Sequence, residues 1–157
     1  MDFYDKLLGD TLRRHFDFCI KYKGYKDCFY LSSLKKTNNA VYKMREVAKE
    51  KRYSKRIQKI MVGKYNTRVI FKNGSSFDVL FTTECSCGHR FYGAIIDLDI
   101  KDNVVNALIN PCLMCRIRLF PRTIEKIARK FKIMLPHIVK NDDYRPRVDY
   151  ITVKGEI

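Results

Sequence analysis

Four cysteines carry the most specific chemistry in this 157-residue sequence. Cys85 and Cys87 form a C-x-C followed directly by Gly88 and His89, and Cys112 and Cys115 form a C-x-x-C, with 24 residues between the inner cysteines. Structural zinc takes four thiolate or imidazole ligands in a tetrahedron, and two short pairs on tight turns supply them at small entropic cost. A glycine after the second cysteine lets backbone amides turn toward the sulfurs. The pattern nominates Cys85, Cys87, Cys112 and Cys115 as ligands of a structural zinc, with His89 as a substitute for one of them. The plainer alternative is that they are buried thiols, which is how Cys19 and Cys28 are read. A catalytic zinc would need an open coordination position and an acid–base group; Glu84 stands nearby, but nothing else supports that role. Cys87 and His89 have no third member and no oxyanion-hole signature, so a nucleophilic site is not expected. The first residues, Met1 to Asp5, are acidic and aromatic, unlike a secretory leader. Six cysteines in that context argue for reduced thiols or metal ligands in a cytoplasmic setting rather than a disulfide framework.

Other candidate chemistry is sparse. Asp97 and Asp99 could ligate magnesium at a strand end; alternatively one faces solvent and the other caps a turn. His15 and His137 stand alone and read as structural or surface residues. No G-x-x-x-x-G-K-[ST] occurs, and the only Gly-Lys, Gly63-Lys64, lacks a glycine-rich approach, so a P-loop phosphate cradle is missing. Nothing approaches the ~20 apolar residues of a membrane span.

The charge is far from balanced. The formal net charge is +15, an excess that costs stability through self-repulsion and is most simply explained by a partner that neutralises it. From Lys35 to Lys72 there are 13 Lys/Arg against two acids, Glu46 and Glu50. From Arg116 to Lys132 there are seven against one, Glu125. These two segments carry the whole excess, the pattern of a polyanion footprint; a solvated lysine-rich face is the bland alternative.

The elements that must position these groups follow from periodicity. Residues Asp2 to Tyr22 have Phe3, Leu7, Leu8, Leu12, Phe16, Cys19 and Ile20 at helical spacing, and Gly24 ends the helix. Cys28 to Leu31 reads as a buried strand. Ser32 and Ser33 can cap a following helix with Leu34, Val41, Met44, Val47 and Ala48 on its apolar face. The spacing predicts a break near Tyr53-Ser54 and a resumed helix through Ile57, Ile60 and Met61. Arg68 to Lys72 and Phe77 to Phe81 flank Asn73-Gly74, a strong hairpin signal. Ala94 to Asp97 reads as another strand, Val104 to Ile109 as a short helix, Cys115 to Phe120 as a strand, and Arg122 to Met134 as a basic amphipathic helix. Arg147 to Val153 alternates like an edge strand. The expectation is a single α/β domain, a mixed β-sheet with flanking helices pinned by the zinc site.

One stretch resembles a known family. Val69-Ile70-Phe71-Lys72-Asn73-Gly74-Ser75-Ser76, then Gly88-His89-Arg90-Phe91-Tyr92-Gly93-Ala94-Ile95-Ile96-Asp97, then Asn110-Pro111, is similar to the ATPase domain of phage large terminases over about residues 27–111. There a strand, an NGS hairpin and a second strand lead to a G-x-R loop and the Walker B strand. The resemblance implies a division into an N-terminal helix (1–26), a terminase-like core (27–111), and a basic helix with a C-terminal strand (112–157). It also implies a phage or viral origin, and a magnesium-holding role for Asp97. The departures are that no Walker A loop precedes Cys28, and Leu98 stands where the family has its glutamate. The resemblance therefore implies a truncated relative that kept the sheet and lost the nucleotide chemistry.

Together these readings lead to a non-enzymatic protein that binds nucleic acid, DNA or RNA, with Lys43, Arg45, Lys49, Arg52, Arg56, Arg122, Arg129 and Lys130 on phosphates. Tyr42, Tyr53 and Tyr65, interleaved with that charge, could stack on bases. Two other classes remain: a viral interaction protein that inhibits or adapts a host nucleic-acid-handling complex, and a metal-dependent enzyme, either an ATPase that borrows a P-loop from a partner or a nuclease using Asp97 and Asp99.

Overall fold

The first helix, α1 (Phe3–Lys21), buries the face its spacing marks, with Leu8, Leu12, Phe16 and Cys19 against the sheet. It is followed by β1 (Lys26–Leu31), α2 (Leu34–Ala48) and a single turn, α3 (Lys51–Ser54). Then come β2 (Ile57–Val62), β3 (Asn66–Phe71), β4 (Ser76–Phe81), β5 (Gly93–Asp97), the short α4 (Asp102–Val104) and β6 (Val148–Ile151). The structure, a computed structural model, describes residues 3–63, 66–81, 91–104 and 148–155. The cysteine pairs, His89, the expected strand at 115–120 and the basic helix at 122–134 lie outside the described residues, as does all but the first residue of the helix expected at 104–109.

The six strands form one sheet in the order β2-β3-β4-β1-β5-β6. β4, β1, β5 and β6 run parallel, and β3 and β2 extend the sheet antiparallel from β4. The mixed α/β sheet with flanking helices is therefore as expected. β1 lies at its centre, Phe29 pairing with Val79 on one side and Ile95 on the other. A strand buried on both faces reads as a continuous apolar run, and Cys28-Phe29-Tyr30-Leu31 is such a run, all of it buried.

Alternation divides the strand residues between two faces. Phe29, Leu31, Val69, Phe71, Phe77, Val79, Ile95 and Ile151 pack with α1 and α2 in the larger core. Cys28, Tyr30, Leu80, Ala94, Ile96 and Tyr150 form a second cluster on the other face with Phe91 and Ile100. Phe16 is the hub of the first core: its ring meets Tyr53, Phe71 and Phe77 edge-on at centroid distances of 5.4, 5.4 and 5.2 Å. Edge-to-face pairs suit the ring quadrupole and contribute beyond buried area.

The hairpin at Asn73-Gly74 serves two elements. The turn closes with the Gly74 N–H donating to Phe71 O at 3.1 Å, and Gly74 has φ +88°, where a side chain would be strained. Asn73 Nδ2 donates to the Cys19 carbonyl at 2.8 Å and Ser75 Oγ to the Tyr22 carbonyl at 2.7 Å, so the turn also caps the carboxyl end of α1.

One element differs in kind from expectation. Ile57 to Val62 is a strand, not a resumed helix. It carries a bulge: Ile57 pairs with Phe71 and Lys59 with Ile70, so Gln58 is an extra residue. The bulge returns Ile57 and Ile60 to the same side, where both pack on the core. That spacing of three imitates a helical period. Leu34 also departs, lying 46% exposed at the first turn of α2.

Candidate functional site

In an open α/β sheet, ligands gather where the connections from neighbouring strands leave in opposite directions, at the strands' carboxyl ends. Here that point lies between β1, whose chain departs toward β2, β3 and β4, and β5, which leads to β6. Asp97 ends β5 at this place and is fully buried. Its Oδ2 accepts from the Ser32 N–H at 3.0 Å and, in a short bond, from the Ser32 hydroxyl. Its Oδ1 accepts from Lys36 Nζ at 3.3 Å and from the Asp99 N–H at 3.1 Å. Lys36 also forms a close ion pair with Asp99. The lysine is placed by α2, whose N-cap Ser33 accepts from the Lys36 N–H at 3.2 Å. Burial works against the charged Lys36, but its bonds to Asp99 and Asp97 outweigh this and raise its pKa. Asp97 and Asp99 thus meet around an ammonium group rather than an open position for magnesium. Lys36 was not among the residues singled out in the sequence; its place one turn into a capped helix was the available signal.

The opposite end of the sheet is basic. α2 carries the chain back from the carboxyl end of β1, and α3 and the start of β2 lie at the amino ends of the parallel strands, where Ile57 pairs with Phe71 and Lys72 N–H donates to Arg56 O at 2.8 Å. Arg45, Lys49, Lys51, Arg52, Lys55, Arg56, Lys59 and Lys72 are all exposed there. The acids of this stretch are already engaged: Glu50 with Arg13 at 2.8 Å and Glu46 with Lys43 at 3.3 Å, while Asp17 of α1 holds Arg52 at 2.9 Å. Arg45, Lys49 and Arg56, named from the sequence, therefore present charge to solvent together, and Arg52 does so with one ion pair.

Two expected contacts do not face solvent. Lys43 is only 8% exposed. Its stem crosses Gly9, where an added Cβ would lie 3.1 Å from Lys43 Cε, and its ammonium binds Asp5 at 2.9 Å. It ties α2 to α1. Tyr53, expected to stack on bases, is 2% exposed and donates its hydroxyl to Asp17 Oδ1 at 2.9 Å. Tyr42 is 69% exposed. Arg122, Arg129, Lys130 and Tyr65 lie outside the described residues, as do Cys85, Cys87, Cys112 and Cys115. Among the described residues, no group of three or more His, Cys, Asp or Glu side chains is arranged to hold a metal ion. No described helix is long and apolar enough to cross a membrane.

His15 is the main surprise. It sits fully buried on the sheet-facing side of α1, bridging two carboxylates: Nδ1 lies 2.5 Å from Asp27 Oδ2 on β1 and Nε2 lies 2.7 Å from Asp149 Oδ2 on β6. Burial disfavours the charged ring, but the field of Asp27 and the bonds with Asp149 and Asp27 carry its pKa up to about 9. Its position among Leu8, Leu12, Phe16 and Cys19 on the apolar stripe was the sequence signal that it belongs inside.

The chain matches no protein-family model and, in sequence, no curated protein. Among solved structures, it is similar to a small COPII coat GTPase of the ADP-ribosylation-factor-like class from Encephalitozoon cuniculi, solved with GDP. That match has 14% identity, covers 98% of this chain and 78% of the other, and has a TM-score of 0.33, too low to carry an argument. None of the comparisons finds a terminase, so the resemblance to that family is corrected. What carried it was an order of strands joined by an Asn-Gly turn, a generic solution for a sheet with an antiparallel extension. Asp97, to which it gave a magnesium role, holds Ser32 and Lys36 instead.

Proposed function

We propose that the protein is a non-enzymatic nucleic-acid-binding protein that engages phosphates through the basic surface on α2, α3 and the start of β2. The observation that supports this reading is the gathering of exposed Arg45, Lys49, Lys51, Lys55, Arg56 and Lys59 on consecutive elements, while the acids of the same stretch are engaged elsewhere. Like charges this dense repel one another in the free protein, and a phosphate backbone removes that cost while releasing its counterions. Arg122, Arg129 and Lys130, in the second basic segment of the sequence, extend the same reading. A structural zinc on Cys85, Cys87, Cys112 and Cys115 belongs to it as well, on the strength of their spacing.

The test is a titration of labelled DNA and RNA oligonucleotides at several salt concentrations. Binding should weaken steeply with salt. The triple variant Arg45→Ala, Lys49→Ala, Arg56→Ala should lower the slope of log K against log salt by about one for each phosphate it no longer neutralises. Absence of binding at low salt, or a variant with unchanged affinity and slope, would overturn the reading.

A further inference from the structure

We infer that the protein prefers single-stranded nucleic acid and takes one unpaired base into the groove between α1 and α2, an inference that rests on the nucleic-acid reading above. Along α2, Lys35, Asn38, Tyr42, Arg45 and Lys49 are all exposed. Their spacing of three, four, three and four residues places them in one stripe on the helix. At 1.5 Å per residue the stripe runs about 21 Å. An exposed aromatic in the middle of a basic track is the arrangement that binds single strands, cations following the backbone and a ring receiving a base.

Tyr42 also stands at the rim of a groove of about 240 Å³, lined by Tyr4, Asp5, Leu8, Asn39, Lys43, Val153 and Lys154 as well. That volume is below the roughly 300–1,000 Å³ of pockets that take drug-sized ligands, and suits one small planar ring system. The floor is apolar, formed by Leu8 and Val153. The far wall is Tyr4, 40% exposed, with Lys154 Nζ held 5.1 Å from its ring centroid. Asp5 supplies carboxylate acceptors beside the Lys43 ammonium, 2.9 Å apart, and Asn39 anchors its Nδ2 on the Lys154 carbonyl at 2.6 Å. A base edge carries donors and acceptors that such groups can meet. In a duplex the bases are stacked and paired, and the ring could not enter.

The experiment compares a single-stranded oligonucleotide carrying one 2-aminopurine with a blunt duplex of the same length, at one salt concentration. The single strand should bind at least tenfold more tightly, with a change in 2-aminopurine fluorescence on binding. Tyr42→Ala should weaken single-strand binding roughly 5- to 150-fold, the range that stacking a base on an aromatic ring supplies, while leaving duplex binding unchanged. Tyr42→Phe should keep the preference. Equal affinity for the two forms, with Tyr42→Ala silent and salt-dependent binding retained, would overturn this inference and leave the basic surface standing. No binding to either form would overturn both.

Discussion

A protonated histidine enclosed by protein survives only if its charge is answered on the spot, and His15 is answered twice, by Asp27 and Asp149. Removing one member of such a cluster strands the others, a loss of about 3–5 kcal/mol for buried ion pairs. The pH dependence follows from the direction of the shift. The folded value is about 9 against an ordinary 6.5, so the stabilisation is fully present below pH 6.5 and is lost as pH rises through about 9. Asp27, pushed up by burial against the pull of His15, shifts from the ordinary carboxylate value of 3.8. Its own cost begins as pH passes that value, well below the histidine window. The melting temperature should therefore fall between pH 6.5 and 9, and His15→Gln should be less stable at neutral pH with that part of the profile flattened. A variant whose profile keeps the wild-type slope would show that the imidazole is not the titrating group.

Aromatic rings join whole elements to one another. Phe16 joins α1 to α3, β3 and β4 through Tyr53, Phe71 and Phe77. Phe16→Ala should cost about 3–5 kcal/mol, read as a lower urea midpoint at unchanged slope; a cost of under about 1 kcal/mol would mean the neighbouring rings close the gap. The same elements mark what the sequence could convey. Phe77 to Phe81, Ala94 to Asp97 and the alternation into β6 were legible because apolar runs and period-two patterns have few other meanings. The helix α1 was legible from its stripe, with His15 part of that stripe though read as solitary. β2 was not, because the bulge at Gln58 put Ile57 and Ile60 on one side and reproduced a helical spacing. Lys43 was misjudged because a lysine beside other lysines looks solvated, whereas Asp5 and Gly9, which turn it inward, are distant in sequence. Nothing in the order of residues announces such a crossing.

At the scale of the described molecule, the two ends of the parallel strands differ: at the carboxyl end Asp97 and Asp99 are closed by Lys36, and at the amino end the exposed cations of α2, α3 and the start of β2 gather. The proposed zinc would join two segments far apart in sequence, and elemental analysis of the purified protein should find about one zinc per chain. A preparation free of zinc with all its thiols titratable would remove the metal from the description. Metal removal by a chelator should lower the melting temperature, since metal affinity for the folded state adds to folding.

The clasp on His15 also has a temporal side. Asp149 follows His15 by 134 residues, so all of that intervening length must be synthesised before the second carboxylate can reach the imidazole. Until then Asp27 is the one carboxylate of the pair that the imidazole can meet. A polypeptide interrupted before Asp149 would leave Asp27 alone of the two carboxylates to answer the imidazole.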